Sequence, residues 1–121
     1  MSDNIPLGRR AEDAAAEFLK RKGYKILVRN YRCCVGEIDI VAQEKGVLCF
    51  VEVKARSSDA CGSPQDAISV FKKKRLSKAA LFYLAESGSL DRPARFDVVA
   101  VLGATEGLQL ELFCDAFDLE E

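Results

Sequence analysis

Two alternating segments joined by a two-residue turn constrain this chain more than any other feature. Residues 36–43 (GEIDIVAQ) place Ile38, Ile40 and Ala42 on one face and Glu37, Asp39 and Val41 on the other. Residues 47–56 (VLCFVEVKAR) alternate too, with Val47, Cys49, Val51, Val53 and Ala55 forming a wholly apolar face. Between them Lys45-Gly46 reads as a tight hairpin turn, the glycine supplying a positive φ. A turn of that length sets the register: Glu44 pairs with Val47, Asp39 falls opposite Glu52, and Glu37 falls opposite Lys54. Leu48 and Phe50 precede Glu52 on its own face. That strand is buried on both sides at one end, and its charges emerge at the other.

The remaining elements follow from periodicity. Ala11, Ala14, Ala15, Phe18 and Leu19 recur at helical spacing, with Pro6 before them and Gly23 after, which predicts a helix over 7–22. Residues 24–32 (YKILVRNYR) are rich in β-formers and read as a strand. Ser63-Pro64-Gln65-Asp66 has the chemistry of a helix start, with Gln65 taking part in that N-terminus. A helix is expected from there to about Glu86, carried by Ile68, Phe71, Leu76, Ala79, Ala80 and Tyr83. Residues 95–102 and 108–114 read as two last strands across a Gly-bearing turn. The order α-β-β-β-α-β-β, with no internal repeat and no low-complexity linker, describes one α/β domain spanning residues 1–121.

Composition excludes several chemistries. Histidine is absent, which removes Ser-His and Cys-His pairs, imidazole bases and most zinc sites. Five cysteines (33, 34, 49, 61 and 114) contain no Cys-x-x-Cys, and Cys49 and Cys114 read as small buried hydrophobes. Met1 to Arg10 lacks the apolar core of a signal peptide, and no apolar run reaches membrane length. A cytoplasmic, membrane-free protein is the expectation. The formal net charge of −1 conceals an asymmetry: residues 1–78 hold 16 Lys+Arg against 10 Asp+Glu, and residues 79–121 hold 2 against 9. The basic part includes Lys72-Lys73-Lys74-Arg75, Lys78 and Arg56, candidates for phosphate contact on a polyanion. Consecutive helix positions point all around the axis, so at most about half of that run faces one ligand. The competing reading is a solvated face. No zinc-finger spacing or tryptophan points to base-specific readout.

Asp39 and Glu52 are the chemically informative pair. Two carboxylates directly opposed on antiparallel strands repel at about 4.5–5.5 Å between Cβ atoms. A hard divalent cation between them removes the conflict, because Mg²⁺ takes one or two carboxylates and completes its shell with water and phosphate. A neighbouring lysine can orient or deprotonate the attacking water, and Lys54 shares the strand face with Glu52. The plain alternative is an exposed charged face, with Glu37–Lys54 as an ordinary cross-strand ion pair.

With these residues in place the chain resembles the PD-(D/E)xK nuclease superfamily: GEIDIVA (36–42) supplies the aspartate and FVEVKAR (50–56) the E-x-K. More closely it resembles the YraN-like family of small bacterial proteins, themselves similar to archaeal Holliday junction resolvases. The shared stretches include GRRAE (8–12), GYKILVRNYR (23–32), GSP (62–64) and RFDVV (95–99). The resemblance implies a restriction-endonuclease-like αβββαβ core, a mixed central sheet flanked by helices. It implies Asp39, Glu52 and the Val53 carbonyl as ligands of Mg²⁺ or Mn²⁺, and Lys54 as the catalytic lysine. Glu12 matches the acid that junction resolvases use on their first helix; its alternative reading is a first-turn acid. Glu37 is either a partner of Lys54 or only a brace for the hairpin, and Asp97 reads as structural. The implied activity is endonucleolytic cleavage of DNA, including structured or branched DNA, by a homodimer. A binding or scaffold module that keeps the fold without turnover is the second reading, and a cysteine redox protein a weaker third.

Overall fold

The computed structural model describes residues 7–57, 68–104 and 107–118. Helix α1 (Leu7–Arg21) leads into strands β1 (Lys25–Cys33), β2 (Gly36–Glu44) and β3 (Val47–Ser57), followed by helix α2 (Val70–Glu86) and strands β4 (Ala94–Ala104) and β5 (Gly107–Phe117). The five strands form one sheet in sequence order. Every neighbouring pair is antiparallel except β3–β4, which is parallel and needs a crossover that α2 provides. The result is a mixed α/β sheet consistent with the expected restriction-endonuclease-like core.

Alternation along β3 divides the interior into two layers. Leu48 and Phe50 pack with Leu76, Ala79, Ala80 and Leu84 of α2, whereas Cys49 and Val51 pack with Ala11, Ala15, Ala16 and Leu19 of α1. Helix α1 therefore covers one face of the sheet and α2 the other. Alanines dominate the α1 contact, which lets the helix lie close to the strands. Its C-terminus closes through Gly23 at φ 95, with Tyr24 N–H donating to the Leu19 carbonyl at 3.0 Å.

Three expectations need correction here. Helix α2 begins at Val70, not near Pro64. Ser69 is extended (φ −68, ψ 159), and its hydroxyl accepts from Lys72 N–H at 3.1 Å, so it is the N-cap that starts the helix. The Ser63–Pro64 start lies outside the described residues. Phe71, expected in the core, is 70% exposed, while Ile68 is buried ahead of the helix. Strict alternation also fails in β2: Ile38 joins the α2 layer with Val41, and Ile40 joins the α1 layer with Ala42. The break falls beside Asn30 of β1, which takes φ 55 between the pairs Arg29–Ile40 and Tyr31–Ile38. A left-handed residue inside a strand reverses its pleat, and the paired strand turns with it.

At the turn end of the β2–β3 hairpin a buried polar network ties β2, β4 and β5 to Tyr24, just ahead of β1. Asp97 is fully buried; it accepts from Tyr24 Oη at 2.8 Å, Arg95 Nε at 3.0 Å and Asp115 N–H at 2.9 Å. Asp115 reaches it through a bulge in β5, where its φ is 51. Arg95 also donates to Glu44 at 2.8 Å and to Tyr24 at 2.9 Å. Asp97 is structural, as its sequence position implied. Cys49 is buried beside this network, and burial pushes its thiol up to about 12, so it is inert at neutral pH. Cys114 is exposed rather than buried, its sulfur 3.5 Å from Tyr24 Oη, because the same bulge turns it outward. Replacing Asp97 with Ala leaves the half-buried Arg95 guanidinium with Glu44 as its remaining acid and removes the acceptor of Tyr24 Oη and Asp115 N–H, and is expected to lower stability by about 2–4 kcal/mol in urea denaturation. A loss below about 1 kcal/mol would contradict the structural role.

Candidate functional site

The acid pair sits where β2 and β3 stop pairing. The hairpin has the predicted register from Glu44–Val47 to Ile40–Val51. One step further the Asp39 carboxylate turns toward β3 and takes the Val53 N–H at 2.8 Å. Glu52, next along from Val51 and on the α2 side of the sheet, is buried, its side chain only 6% exposed. Its charge is met by Lys72, whose ammonium forms an ion pair with Glu52 Oε2. Lys72 reaches it because Ser69 fixes the first turn of α2 directly above the strand ends.

These positions set unusual protonation. Burial is the largest cause pushing the Asp39 carboxyl up to about 7, followed by repulsion from the Glu52 charge; the Val53 N–H and Lys72 act the other way without cancelling them. Burial draws the Lys72 ammonium down, but its hydrogen bond to Glu52 and the charges of Glu52, Asp39 and Glu37 outweigh that and hold it above its ordinary value. The pair thus keeps one excess negative charge in check with a proton and a lysine.

A cleft of about 300 Å³ opens over the pair. Glu37, Asp39 and Glu52 line one side and Phe71, Lys72 and Arg75 the other. Its floor is narrow at Gly36, where a Cβ would meet the Arg75 carbonyl oxygen at 3.3 Å. Glycine there lets the start of β2 approach α2 and brings the basic side of the helix over the acids.

The other predicted residues are distributed around this centre. Glu37 does not pair with Lys54: it lies opposite Arg32 on β1 and accepts from its Nε at 2.7 Å. Pairing with the nearer strand wins because the β2–β3 ladder has already ended. Lys54 is half-buried on β3 opposite Ala100 and forms no ion pair among the described residues. Arg56 continues the strand opposite Leu102. Glu12 does not line the cleft; it sits 3.5 Å from Arg29 in a neighbouring cavity of about 510 Å³ shared with Arg9, Asp13 and Arg32. Of the basic run, Lys72 and Arg75 face the acids, Lys73 lies over the Phe117 ring at 5.5 Å, and Lys74 and Lys78 are exposed. Lys72 was foreseen only as a phosphate contact. The core period of Leu76, Ala79 and Ala80 places 72 and 75 on the sheet side, so the signal was present once the helix start is known.

Among the described residues no three acids or cysteines are grouped to hold a metal ion. Two carboxylates are nevertheless a fitting set for Mg²⁺ or Mn²⁺, which keeps several waters and takes phosphate oxygens for the rest of its shell. The close pairing of buried Glu52 with half-buried Asp39 is the observation that favours such a cation.

Fold and site together define a small α/β domain with a paired-acid cleft, consistent with a restriction-endonuclease-like core. The profile of the uncharacterised protein family UPF0102 matches residues 11–101, and the chain belongs to that family. A UPF0102 protein of Geotalea uraniireducens (strain Rf4) is 46% identical over 98% of this chain and 94% of its own length. One from Desulfosudis oleivorans is 50% identical over 92% of this chain and 89% of its own length. Among solved structures, Pyrococcus furiosus SfsA in complex with Ca²⁺ aligns with a TM-score of 0.39 and 15% identity, covering 88% of this chain and 61% of that one.

The raised Asp39 value has a sign that can be checked. A carboxyl lifted from 3.8 to about 7 in the folded state holds a proton the unfolded chain has released, so stability falls as pH rises between those values. Asp39→Asn keeps an oxygen for the Val53 N–H and removes the titration. In chelator its stability gain over the native chain is expected to grow by about 1–3 kcal/mol between pH 5 and pH 8. Thermal or urea denaturation at the two pH values reads this, and a gain larger at pH 5 would contradict the assignment.

Proposed function

We propose that this protein is a Mg²⁺- or Mn²⁺-dependent endonuclease that hydrolyses phosphodiester bonds in DNA, including branched DNA such as four-way junctions. The observation that carries the reading is the Asp39–Glu52 pair, held at a strand end beside two basic side chains of α2, Lys72 and Arg75. Asp39, Glu52 and the Val53 carbonyl would hold the cation, which supplies charge stabilisation at the phosphate when bound. Lys54 lies on the same strand two residues beyond Glu52, has no competing ion partner among the described residues, and orients or deprotonates the attacking water. Lys72, released from Glu52 when a cation takes its place, joins Arg75 against the substrate phosphates. Arg56, Lys73, Lys74 and Lys78 add sequence-independent attraction to the backbone. Glu12, already opposed by Arg29, is left out of the ligand set. A junction presents two related strands, which a two-fold homodimer matches.

A second reading is a nucleic-acid-binding module without turnover. The Lys72–Glu52 ion pair favours it, since it neutralises the buried acid with no metal present. The two readings part in one assay: the purified protein with Mg²⁺ or Mn²⁺ on linear, nicked, flapped and four-way DNA. Metal-dependent cleavage is expected, and Asp39→Asn and Lys54→Ala should each slow it at least about 100-fold, the scale of about 3 kcal/mol of transition-state stabilisation. Binding that ignores chelator and Glu52→Gln, with no product on any substrate, would support the silent module instead.

A further inference from the structure

We infer that Phe71, with the Arg75 guanidinium beside it, forms a subsite for one unpaired nucleobase at the mouth of the acid cleft. The inference rests on the proposed function only in taking nucleic acid as the ligand, and does not require turnover. Phe71 is 70% exposed on the first turn of α2, so it contributes little to the core that Leu76, Ala79 and Ala80 build. A large aromatic ring left in water at the rim of a charged cleft is unfavourable for a lone domain and favourable for a ligand with an aromatic face. Arg75, one turn further on, lies 5.9 Å from the ring centroid, and its Nε is fixed by the Val35 carbonyl at 3.3 Å. Ring and guanidinium thus present a preset stacking surface beside a positive charge, which suits a base and its phosphate.

The geometry selects an unpaired base. In an intact duplex both faces of each base are covered by its neighbours, so a base must leave the stack to meet Phe71. The cleft is at the small end of ligand pockets, with room for one nucleotide and not for a base pair. Phe71 and Lys72 are adjacent in sequence, so a base on the ring places its phosphate beside the ammonium that reaches Glu52. Single strands, flaps and junction centres offer such bases; continuous duplex does not.

Fluorescence anisotropy in chelator, at one fixed salt concentration, tests this with an oligothymidylate single strand and a blunt duplex of equal length. Phe71→Ala is expected to weaken single-strand binding about 10-fold and duplex binding less than about 2-fold, while Phe71→Trp retains single-strand affinity and Phe71→Leu does not. An exposed position leaves the fold intact, which unchanged melting temperatures verify. Equal losses on both probes, full affinity in Phe71→Leu, or no single-strand binding by the native chain would each overturn the subsite. Cleavage is read separately with Mg²⁺ or Mn²⁺. Loss of the endonuclease reading with an intact Phe71 effect leaves the subsite standing, and cleavage with an indifferent Phe71 removes the subsite alone.

Discussion

Two carboxylates forced together away from water cannot both stay charged without help, and the end of the β2–β3 hairpin is built around that conflict. Each device near Asp39 and Glu52 reduces it. The Val53 N–H serves Asp39, Lys72 serves Glu52, and the raised Asp39 value stores a proton between them. None of these is as effective as a divalent ion at short range, because hydrogen bonds and one half-exposed ammonium neutralise only part of the charge. In the proposed function a divalent cation would take up the remainder of that charge.

The other polar network of the molecule shows what a finished structural arrangement looks like. Asp97 is also a buried acid, yet it meets a guanidinium, a hydroxyl and a backbone N–H, and Arg95 is shared onward to Glu44. Two acids share one guanidinium there as well, but every named donor has an acceptor, so the cluster locks β4 and β5 to the hairpin and to Tyr24. Asp39 and Glu52 have two acids to one lysine, and that lysine is half exposed. What differs is saturation: Asp97 takes three donors inside the fold, whereas Asp39 takes one backbone N–H and lies against a second carboxylate at the edge of a cleft.

Much of this was legible beforehand because hairpins and helices announce themselves locally. Lys45-Gly46 fixed the register that the sheet shows, and the element order followed from period alone. What escaped were effects of one element on another. Ile38 changes layers because Asn30, on a different strand, adopts a left-handed conformation. A partnership of Glu37 with Lys54, one of its two readings, needed a ladder that in fact ends three residues short, leaving Arg32 of β1 as its partner. Phe71 was counted with the core for its size and apolarity, yet it stands five residues before Leu76, well off the face that Leu76, Ala79 and Ala80 share, and its ring lies outside. The acid pair itself was inferred from register, whereas Lys72 needed the height of α2 above the sheet.

That height depends on Gly36. Any side chain at this position would press on the Arg75 carbonyl, so a larger residue would lift the first turns of α2 from the strand ends. Lifting them would move Lys72 away from Glu52 and Phe71 with Arg75 away from the cleft in one displacement, because all three lie on the same short stretch of helix. The acid cleft and the Phe71 ring thus share one determinant, the closeness of the start of α2 to the strand ends of β2 and β3.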